Sequence, residues 1–270
     1  MDVIIQDWDN LIILDACRYD YFEARNDIDG KLRPVLSRGS HSFEFMEGNF
    51  IGRELHDTIY ITANPHATKL SDDIFYDMRV ILDDYLSPEK VVEEALEVYK
   101  HNPNKRLIVH LMPPHRPHLG PTADKLREQF NLKDWSTVDK SQNSTTDTTG
   151  RPIWNLVIHN EISVDRLRES YRETVDIAIE HAKRLNNELN GKTIITSDHG
   201  ELLGERAVPL THRRYGHPHE VDCRTLRIVP WLEIDSQYRR EIETEEPIER
   251  EKIDDEIVDD RLKALGYKPT

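Results

Sequence analysis

Two short apolar runs, one near each end of the chain, each stop at an aspartate. The first is Asn10–Leu14, followed by Asp15, and the second is Thr193–Thr196, followed after one serine by Asp198 and His199. A continuous apolar run of this length is typical of a strand buried on both faces, as in a parallel sheet covered by helices. Because the carboxyl ends of parallel strands meet at one edge of a sheet, we expect the polar residues behind both runs to converge there.

Strand and helix patterns alternate between these two runs. Apolar runs at residues 58–62 and 106–112 predict two further buried strands. Apolar residues at three- and four-residue spacing predict amphipathic helices over residues 88–102 and 161–190, and Gly191 is an expected helix stop. The second helix returns the chain to the last strand and completes a βαβ crossover. The pattern therefore predicts an α/β fold.

The length of the chain is sufficient for one large α/β domain, and we expect residues 1–270 to form a single one. Residues 134–158 contain few apolar side chains, which predicts a polar surface loop, with a mobile lid as the alternative. Residues 236–270 form an acidic helical tail with a final short helix expected around residues 257–265, and we expect it to pack on the flank of the sheet.

The charge balance restricts the partners of the chain. There are 36 Lys and Arg residues against 51 Asp and Glu, a net charge of −15. A surface of this sign argues against a nucleic-acid duplex or an anionic membrane as a partner. A small anionic substrate would need a local basic pocket or a metal ion. No apolar run approaches the roughly 20 residues that a membrane span requires, so we expect no span.

The cysteines and the N-terminal residues bear on the cellular compartment of the protein. Cys17 and Cys223 are too few for a disulfide framework and fit a reducing compartment. The first ten residues, MDVIIQDWDN, lack the basic region and the long apolar core of a signal peptide. Both observations predict a cytoplasmic protein.

Two further candidates follow the first strand directly. Cys17 is either a nucleophile or a small buried thiol, and the buried thiol is the favoured interpretation. Arg18 either contacts an anion at the start of the next helix or pairs with Asp20 or Glu23, which is the commoner fate of such an arginine.

Asp15, Asp198 and His199 are placed to share one metal ion with the hydroxyl of Ser42. Carboxylate oxygens and one imidazole suit a divalent ion such as zinc, manganese, magnesium or calcium. A helix is expected to begin near Ser42, where the helix dipole stabilises an alkoxide and an attached phosphate; a plain N-cap serine is the alternative. A bound ion would lower the pKa of the hydroxyl and neutralise an oxygen of a tetrahedral anionic ester.

Histidines supply the remaining candidates. His115 and His118 lie in the proline-rich loop PPHRPH just behind a predicted strand, and His110 lies within that strand. Prolines restrict the backbone and so reduce the entropy lost when an imidazole is held toward a ligand. His217 and His219 belong to the densest group of imidazole and cationic side chains in the chain.

Four segments in chain order resemble the sulfatase-like branch of the alkaline phosphatase superfamily. They are IILDACRYD, VHLMPPHRPH, TSDHGELLGE, and YGHPHE with the later LRIVPW. The resemblance covers most of the chain and implies a three-layer α/β/α sandwich with a mostly parallel central sheet. It also implies that Asp15, Asp198, His199 and a nucleophile at Ser42 bind the catalytic metal, with Ser40 as the alternative nucleophile.

The same resemblance suggests roles for the other candidates. His115 and His217 are similar to the histidines that bind the ester oxygens or assist the leaving group. Arg18, His118 and His219 are expected to help bind the substrate, a small anionic ester. Whether the chain forms a homo-oligomer is left open.

The segment after Ser42 departs from the sulfatase pattern. Sulfatases carry Cys or Ser followed by x-Pro-Ser-Arg, which is oxidised to formylglycine, whereas this chain reads SFEFM from Ser42. The difference favours an unmodified serine and predicts a metal-dependent hydrolase or transferase of phosphate esters. The alternatives are a sulfatase with an aldehyde at Ser42 or Cys17, and a non-catalytic metal-binding interaction protein.

Overall fold

The chain forms one large sheet with helices on both faces, as described by a computed structural model of residues 1–82, 87–130, 132, 153–206, 212–249, 253 and 255–264. The strands are β1 Asn10–Leu14, β2 Lys31–Leu36, β3 Leu55–Thr62, β4 Phe75–Val80, β5 Arg106–Leu111, β6 Thr193–Thr196, β7 Leu202–Glu205, β8 Arg214–Gly216 and β9 Ile228–Ile234. The α-helices are α1 Tyr19–Arg25, α2 Ser42–Asn49, α3 Pro88–His101, α4 Pro121–Gln129, α5 Ile153–Ile158, α6 Val164–Glu188, α7 Arg224–Arg227 and α8 Asp255–Ala264, with a short 3-10 helix at Pro65–Lys69.

The central sheet has seven strands in the order β2-β9-β6-β1-β5-β3-β4. The strands from β6 to β4 are parallel, whereas β9 runs antiparallel to β6, and β2 runs antiparallel to β9. The strands β7 and β8 form a separate antiparallel ribbon. The α/β fold with a mostly parallel sheet is therefore confirmed, and β1 lies at its centre.

Alternate residues of β1 face two different apolar layers. Ile12 and Leu14 pack in the layer that includes residues of α3 and α6, whereas Leu11 and Ile13 pack in the layer that includes residues of α2. Every residue of β1 is buried. Burial on both faces explains why its sequence is continuously apolar instead of alternating. The three layers are those of the α/β/α sandwich that the sequence resemblance implied.

The long helix α6 returns the chain to the sheet beside β1. Its first turn is capped by Ser163, whose hydroxyl accepts a hydrogen bond from the Arg166 amide. It leads into Gly191, whose φ of +105° is disfavoured for residues with a Cβ. The chain then enters β6, as the sequence predicted. Among the described helices, none is both long and apolar enough to cross a membrane.

Two predicted segments differ from the structure. The polar loop or lid expected at residues 134–158 lies outside the described residues up to residue 152, and the final Ile153–Ile158 is helix α5. The acidic tail is irregular over residues 236–249, where a helix was expected, whereas its final helix at Asp255–Ala264 lies where the sequence predicted one. The irregular segment is fixed by contacts with the rest of the domain, which a local sequence pattern does not reveal. For example, the buried Lys105 ammonium donates a hydrogen bond to the Glu243 carbonyl at 2.9 Å.

The turn behind β1 is held by a buried tyrosine of α6. Ala16 in this turn has a φ of +61°, which is uncommon for a residue with a side chain. The Tyr171 hydroxyl donates a hydrogen bond to the Ala16 carbonyl at 2.7 Å and accepts one from the Arg18 amide at 3.0 Å. One side chain therefore satisfies two backbone groups next to Asp15.

We predict that Tyr171→Phe lowers the free energy of unfolding by about 1–3 kcal/mol, because it leaves both backbone groups without this partner. Urea unfolding followed by circular dichroism measures the change. The matched control is Tyr19→Phe, since the Tyr19 hydroxyl contacts Glu23 at the surface and its loss should change stability by less than about 0.5 kcal/mol. Equal effects of the two substitutions would contradict the role assigned to Tyr171.

Candidate metal centre

Neighbouring strands bring the two predicted aspartates together. β1 and β6 are parallel partners with Ile13 opposite Thr196, so Asp15 and Asp198 follow the carboxyl ends of adjacent strands. Both carboxylates are fully buried. Asp15 and Asp198 therefore lie at the same edge of the sheet, as the two apolar runs predicted.

Four candidate ligand groups face one another at the ends of these strands. The Ser42 hydroxyl oxygen lies 3.2 Å from Asp15 Oδ2 and 3.3 Å from His199 Nε2. The same His199 Nε2 lies 3.5 Å from Asp15 Oδ1 and 3.5 Å from Asp198 Oδ2. All four residues are buried. Side chains far apart in the sequence thus share one small polar site.

The protonation of His199 leaves an electrostatic conflict at this site. Its Nδ1 is 2.8 Å from the Gly200 carbonyl, which only accepts, so Nδ1 carries the proton. Burial lowers the pKa of His199 to about 4, so the ring is neutral near pH 7. Its Nε2 lone pair therefore faces the oxygens of Asp15 and Asp198. A cation among these three acceptors would turn a repulsive arrangement into an attractive one.

These residues fit a divalent metal ion by two further observations. Asp15 Oδ1 and Asp198 Oδ2 are buried atoms without a hydrogen-bond partner among the described residues, which is costly unless another group binds them. Ligands at zinc distances of about 2.0–2.2 Å in a tetrahedral arrangement are spaced by roughly 3.3–3.6 Å. The observed spacings of 3.2 to 3.5 Å are close to this value.

His110 adds an imidazole to the same cluster from the neighbouring strand β5. Its Nε2 lies 3.6 Å from both Asp15 Oδ2 and Asp198 Oδ2, and its Nδ1 lies 2.9 Å from the Tyr60 hydroxyl. Asp15, His110 and Asp198 offer ligand atoms that all lie within 4.8 Å of one another. The sequence placed His110 inside a strand, and the pairing of β5 with β1 brings it to the carboxylates.

Neighbouring groups hold the two carboxylates differently. Burial, together with the charge of Asp198, raises the pKa of Asp15 well above its usual range. Burial also acts to raise the pKa of Asp198, but His199, His110 and the Ala16 amide outweigh it and hold that pKa below its usual range. A cation between the two carboxylates would favour the ionised form of both.

Asn64 positions one of these carboxylates and was missed by the sequence interpretation. Its amide nitrogen donates a hydrogen bond to Asp15 Oδ2 at 2.7 Å, while its amide oxygen accepts from the His66 backbone at 2.9 Å. Asn64 follows β3, two strands from β1, so its approach to Asp15 depends on the strand order. A polar residue just behind a predicted strand was the one available signal.

Ser42 is the first residue of helix α2, whose N-cap is His41. The hydroxyl therefore lies at the positive end of the helix dipole, as predicted. Ser40, the alternative nucleophile, is occupied differently: its hydroxyl and amide both donate to Glu44 Oε2, at 2.9 and 2.6 Å. Of the two serines, Ser42 is the one hydrogen-bonded to the candidate metal ligands.

Two of the predicted histidines lie beside the centre. The His217 ring centroid is 4.4 Å from that of His199 and 5.1 Å from that of His115. Burial lowers the pKa of His217 to about 3 and that of His115 well below its usual range, so both rings are neutral in this structure. The His115 amide also donates to the Asp15 carbonyl at 2.9 Å, which attaches its loop to the strand end.

The other two candidate histidines contact different side chains. His118 Nδ1 donates to Ser170 of α6 at 2.7 Å, and its ring packs on Tyr171. His219 lies over His41, with ring centroids 4.2 Å apart, at the start of α2.

Two residues behind β1 are also occupied by structural contacts. Arg18 forms ion pairs with Asp20 at 2.7 Å and Glu205 at 2.6 Å, so its guanidinium is engaged within the protein. Cys17 is a fully buried thiol whose pKa is raised by burial, as the favoured interpretation held. The role of Arg18 in substrate binding stays a prediction.

Comparison with solved structures identifies the fold. The C-terminal periplasmic domain of EcEptC from Escherichia coli, solved in complex with Zn, is similar with a TM-score of 0.51 at 16% identity, over 88% of this chain and 75% of that one. A candidate sulfatase from Bacteroides thetaiotaomicron has a TM-score of 0.50 at 10% identity, over 95% and 70%. The chain has the fold of the sulfatase-like branch of the alkaline phosphatase superfamily. The fold that the four sequence segments implied is thereby confirmed, at identities that establish the fold alone.

Other comparisons add less. The C-terminal periplasmic domain of the phosphoethanolamine transferase EptC from Campylobacter jejuni has a TM-score of 0.46 at 14% identity, over 83% of this chain and 78% of that one. No protein-family model matches the sequence, and no curated protein sequence matches it.

The cytoplasmic location predicted from the sequence is wrong. The Escherichia coli structure that shares the fold is a periplasmic domain. The cysteine argument failed for a physical reason: Cys17 and Cys223 are both free thiols, and a domain with a large apolar core needs no disulfides in any compartment. A low cysteine content therefore does not report a reducing environment.

We predict that Asn64→Ala weakens zinc or manganese binding by roughly 10- to 100-fold, because residues that orient a metal ligand typically contribute this much to affinity. Titration of the metal-stripped protein by calorimetry measures the change. Asn155→Ala, at an exposed position of α5, is the control and should bind metal as the wild type does. Unchanged affinity in Asn64→Ala, with wild-type thermal stability, would refute the role of Asn64.

Proposed function

We propose that this chain is a metal-dependent hydrolase or transferase of phosphate esters in which Ser42 is the nucleophile. The observation that carries the proposal is the position of the Ser42 hydroxyl, 3.2 Å from Asp15 Oδ2 and 3.3 Å from His199 Nε2. A serine at the start of a helix and in contact with two candidate metal ligands has the surroundings that activate a hydroxyl.

Asp15, Asp198 and His199 would hold the metal, with His110 nearby. A divalent ion in this site would neutralise a non-bridging oxygen of the ester and lower the pKa of the serine hydroxyl. The charge of this ion would also attract the substrate. An anionic ester needs a cationic site on a protein whose net charge is −15.

The residues of the chain would then act in two steps. In the first, Ser42 Oγ reacts as an alkoxide whose proton has already gone to solvent; it forms a bond to phosphorus while the bond to the leaving oxygen breaks, and protonated His217 gives a proton to that oxygen. In the second, water or an acceptor alcohol forms a bond to phosphorus and the bond to Ser42 breaks. Transfer to water is hydrolysis, and transfer to an alcohol is the transferase reaction.

His115 would bind the non-bridging oxygens once it is protonated. In the ligand-free structure its Nδ1 donates to the Arg116 carbonyl, so Nε2 of the neutral ring is an acceptor. An approaching phosphate dianion favours the protonated imidazole, because an opposite charge at short range raises a histidine pKa. His115 then has a second N–H for the ester oxygens.

We expect Ser42→Ala to reduce turnover of p-nitrophenyl phosphate and bis-p-nitrophenyl phosphate by roughly 10³-fold or more, since loss of a nucleophile removes the covalent route. Metal content, measured by mass spectrometry of the purified protein, should stay near that of the wild type. Ser40→Ala is the matched control, because the Ser40 hydroxyl is hydrogen-bonded to Glu44 and should not be needed. Activity that survives in Ser42→Ala and is lost in Ser40→Ala would identify the other serine.

Asp198→Ala should behave differently from Ser42→Ala. Because Asp198 is a proposed ligand with a buried oxygen that lacks a hydrogen-bond partner, its removal should abolish the bound metal together with the activity. Metal analysis and the same two esters distinguish the variants. Retention of full metal content in Asp198→Ala would contradict the assignment of this carboxylate.

Two measurements separate the proposal from its alternatives. A sulfatase would show the mass of an aldehyde at Ser42 or Cys17 in the intact protein and would hydrolyse p-nitrophenyl sulfate. A non-catalytic metal-binding protein would bind metal and turn over none of the phosphate or sulfate esters. The proposed enzyme should have the mass of its unmodified sequence and should act on at least one phosphate ester.

A further inference from the structure

A buried carboxylate lies next to the histidine that protonates the leaving oxygen in the proposed reaction. Glu201 follows the Asp198-His199-Gly200 turn, and its Oε1 lies 3.0 Å from His217 Nδ1. The Glu201 side chain is fully buried and that of His217 is 7% exposed. Solvent and salt therefore screen the contact very little.

We infer that Glu201 is a positioning residue that orients the His217 ring and stabilises its protonated form during leaving-group departure. The inference rests on the proposed function, in which His217 is the proton donor. Carboxylate–histidine pairs of this kind hold an imidazole in one orientation and favour the imidazolium.

The two ring nitrogens of His217 have different roles. Nδ1 is directed at Glu201, so proton exchange with the substrate falls to Nε2. The ring itself stacks near His199 and His115, at centroid distances of 4.4 and 5.1 Å. Glu201 thus contacts the His217 ring directly behind the Asp198-His199-Gly200 turn, whose His199 contacts Ser42.

The cost of burying Glu201 argues against a merely space-filling role. Its Oε2 is a buried atom with no hydrogen-bond partner among the described residues. An ionisable side chain in such a position destabilises the fold relative to an apolar one of similar size. The backbone is held separately, because Arg18 donates to the Glu201 carbonyl at 3.3 Å.

Ser42 enters this step as the alkoxide and is released as the alkoxide in the next, so the one proton that moves is that of protonated His217. As the bond from phosphorus to the leaving oxygen breaks, its electron pair stays on that oxygen, which takes the proton of His217 Nε2 and departs as an alcohol. His217 is then neutral, with its Nδ1 proton on the Glu201 contact. In the second step, Nε2 takes the proton of the water or acceptor alcohol whose oxygen bonds to phosphorus.

A series of phosphate esters with leaving groups of increasing pKa tests the inference. Dinitrophenolate needs almost no protonation on departure, whereas an alkoxide cannot leave without it. In Glu201→Gln we expect kcat/KM to fall by roughly 10²-fold for alkyl phosphates, the size of a general-acid contribution, and by less than about threefold for 2,4-dinitrophenyl phosphate. Glu205→Gln is the matched control in the adjacent ribbon and should leave the dependence on leaving group as in the wild type.

The double variant provides a second measurement. If Glu201 acts through His217, Glu201→Gln combined with His217→Ala should lose no more activity on alkyl phosphates than His217→Ala alone. Metal content and melting temperature near wild-type values show that each variant is folded.

Three outcomes would overturn the inference. They are a loss in Glu201→Gln that is equal across the ester series, no loss at all, or additive losses in the double variant. Failure of the proposed function looks different, because then Ser42→Ala would be as active as the wild type or the wild type would turn over no ester in the series. A uniform loss in Glu201→Gln, with Ser42→Ala inactive, refutes the positioning role and leaves the proposed function standing.

Discussion

Two carboxylates buried side by side are the interaction on which the rest of this site depends. Asp15 and Asp198 follow adjacent parallel strands, and both are fully buried, so bulk solvent screens their repulsion very little. Such a pair is destabilising unless protons, hydrogen-bond donors or a cation compensate it. The donors that surround the pair come from four segments of the chain, and the oxygens that they leave unsatisfied face the His199 ring. The arrangement fits a divalent metal ion.

The sheet supplies the rigidity that holds these groups in place. β1 is central, with β5 and β6 on either side, so its end cannot move without disturbing both partners. The turn behind it is attached to α6 by the Tyr171 hydroxyl and to the Asp198 carboxylate by the Ala16 amide. Functional residues on the ends of such strands are positioned by the core and not by the loops that they begin.

Neutral imidazoles complete the surroundings of Ser42. Burial lowers the pKa of His115, His199 and His217, so a site rich in histidine carries little positive charge before it binds an anion. A phosphate ester would bring the charge that favours their protonated forms. The proposed reaction therefore couples substrate binding to the protonation of the groups that act on it, and the carboxylate of Glu201 would support that change in His217.

Periodicity and local motifs by themselves determined the central strands, the long crossover helix, the convergence of Asp15 with Asp198, and Ser42 at a helix start. These features depend on residues that are neighbours in the chain, or on the rule that parallel strands end at one edge. Only the tertiary structure decided that Asn64 and His110 reach the carboxylates, that Glu201 pairs with His217, and that Arg18 is occupied by Asp20 and Glu205. Those contacts depend on strand order and on the packing of distant segments, which no local pattern encodes.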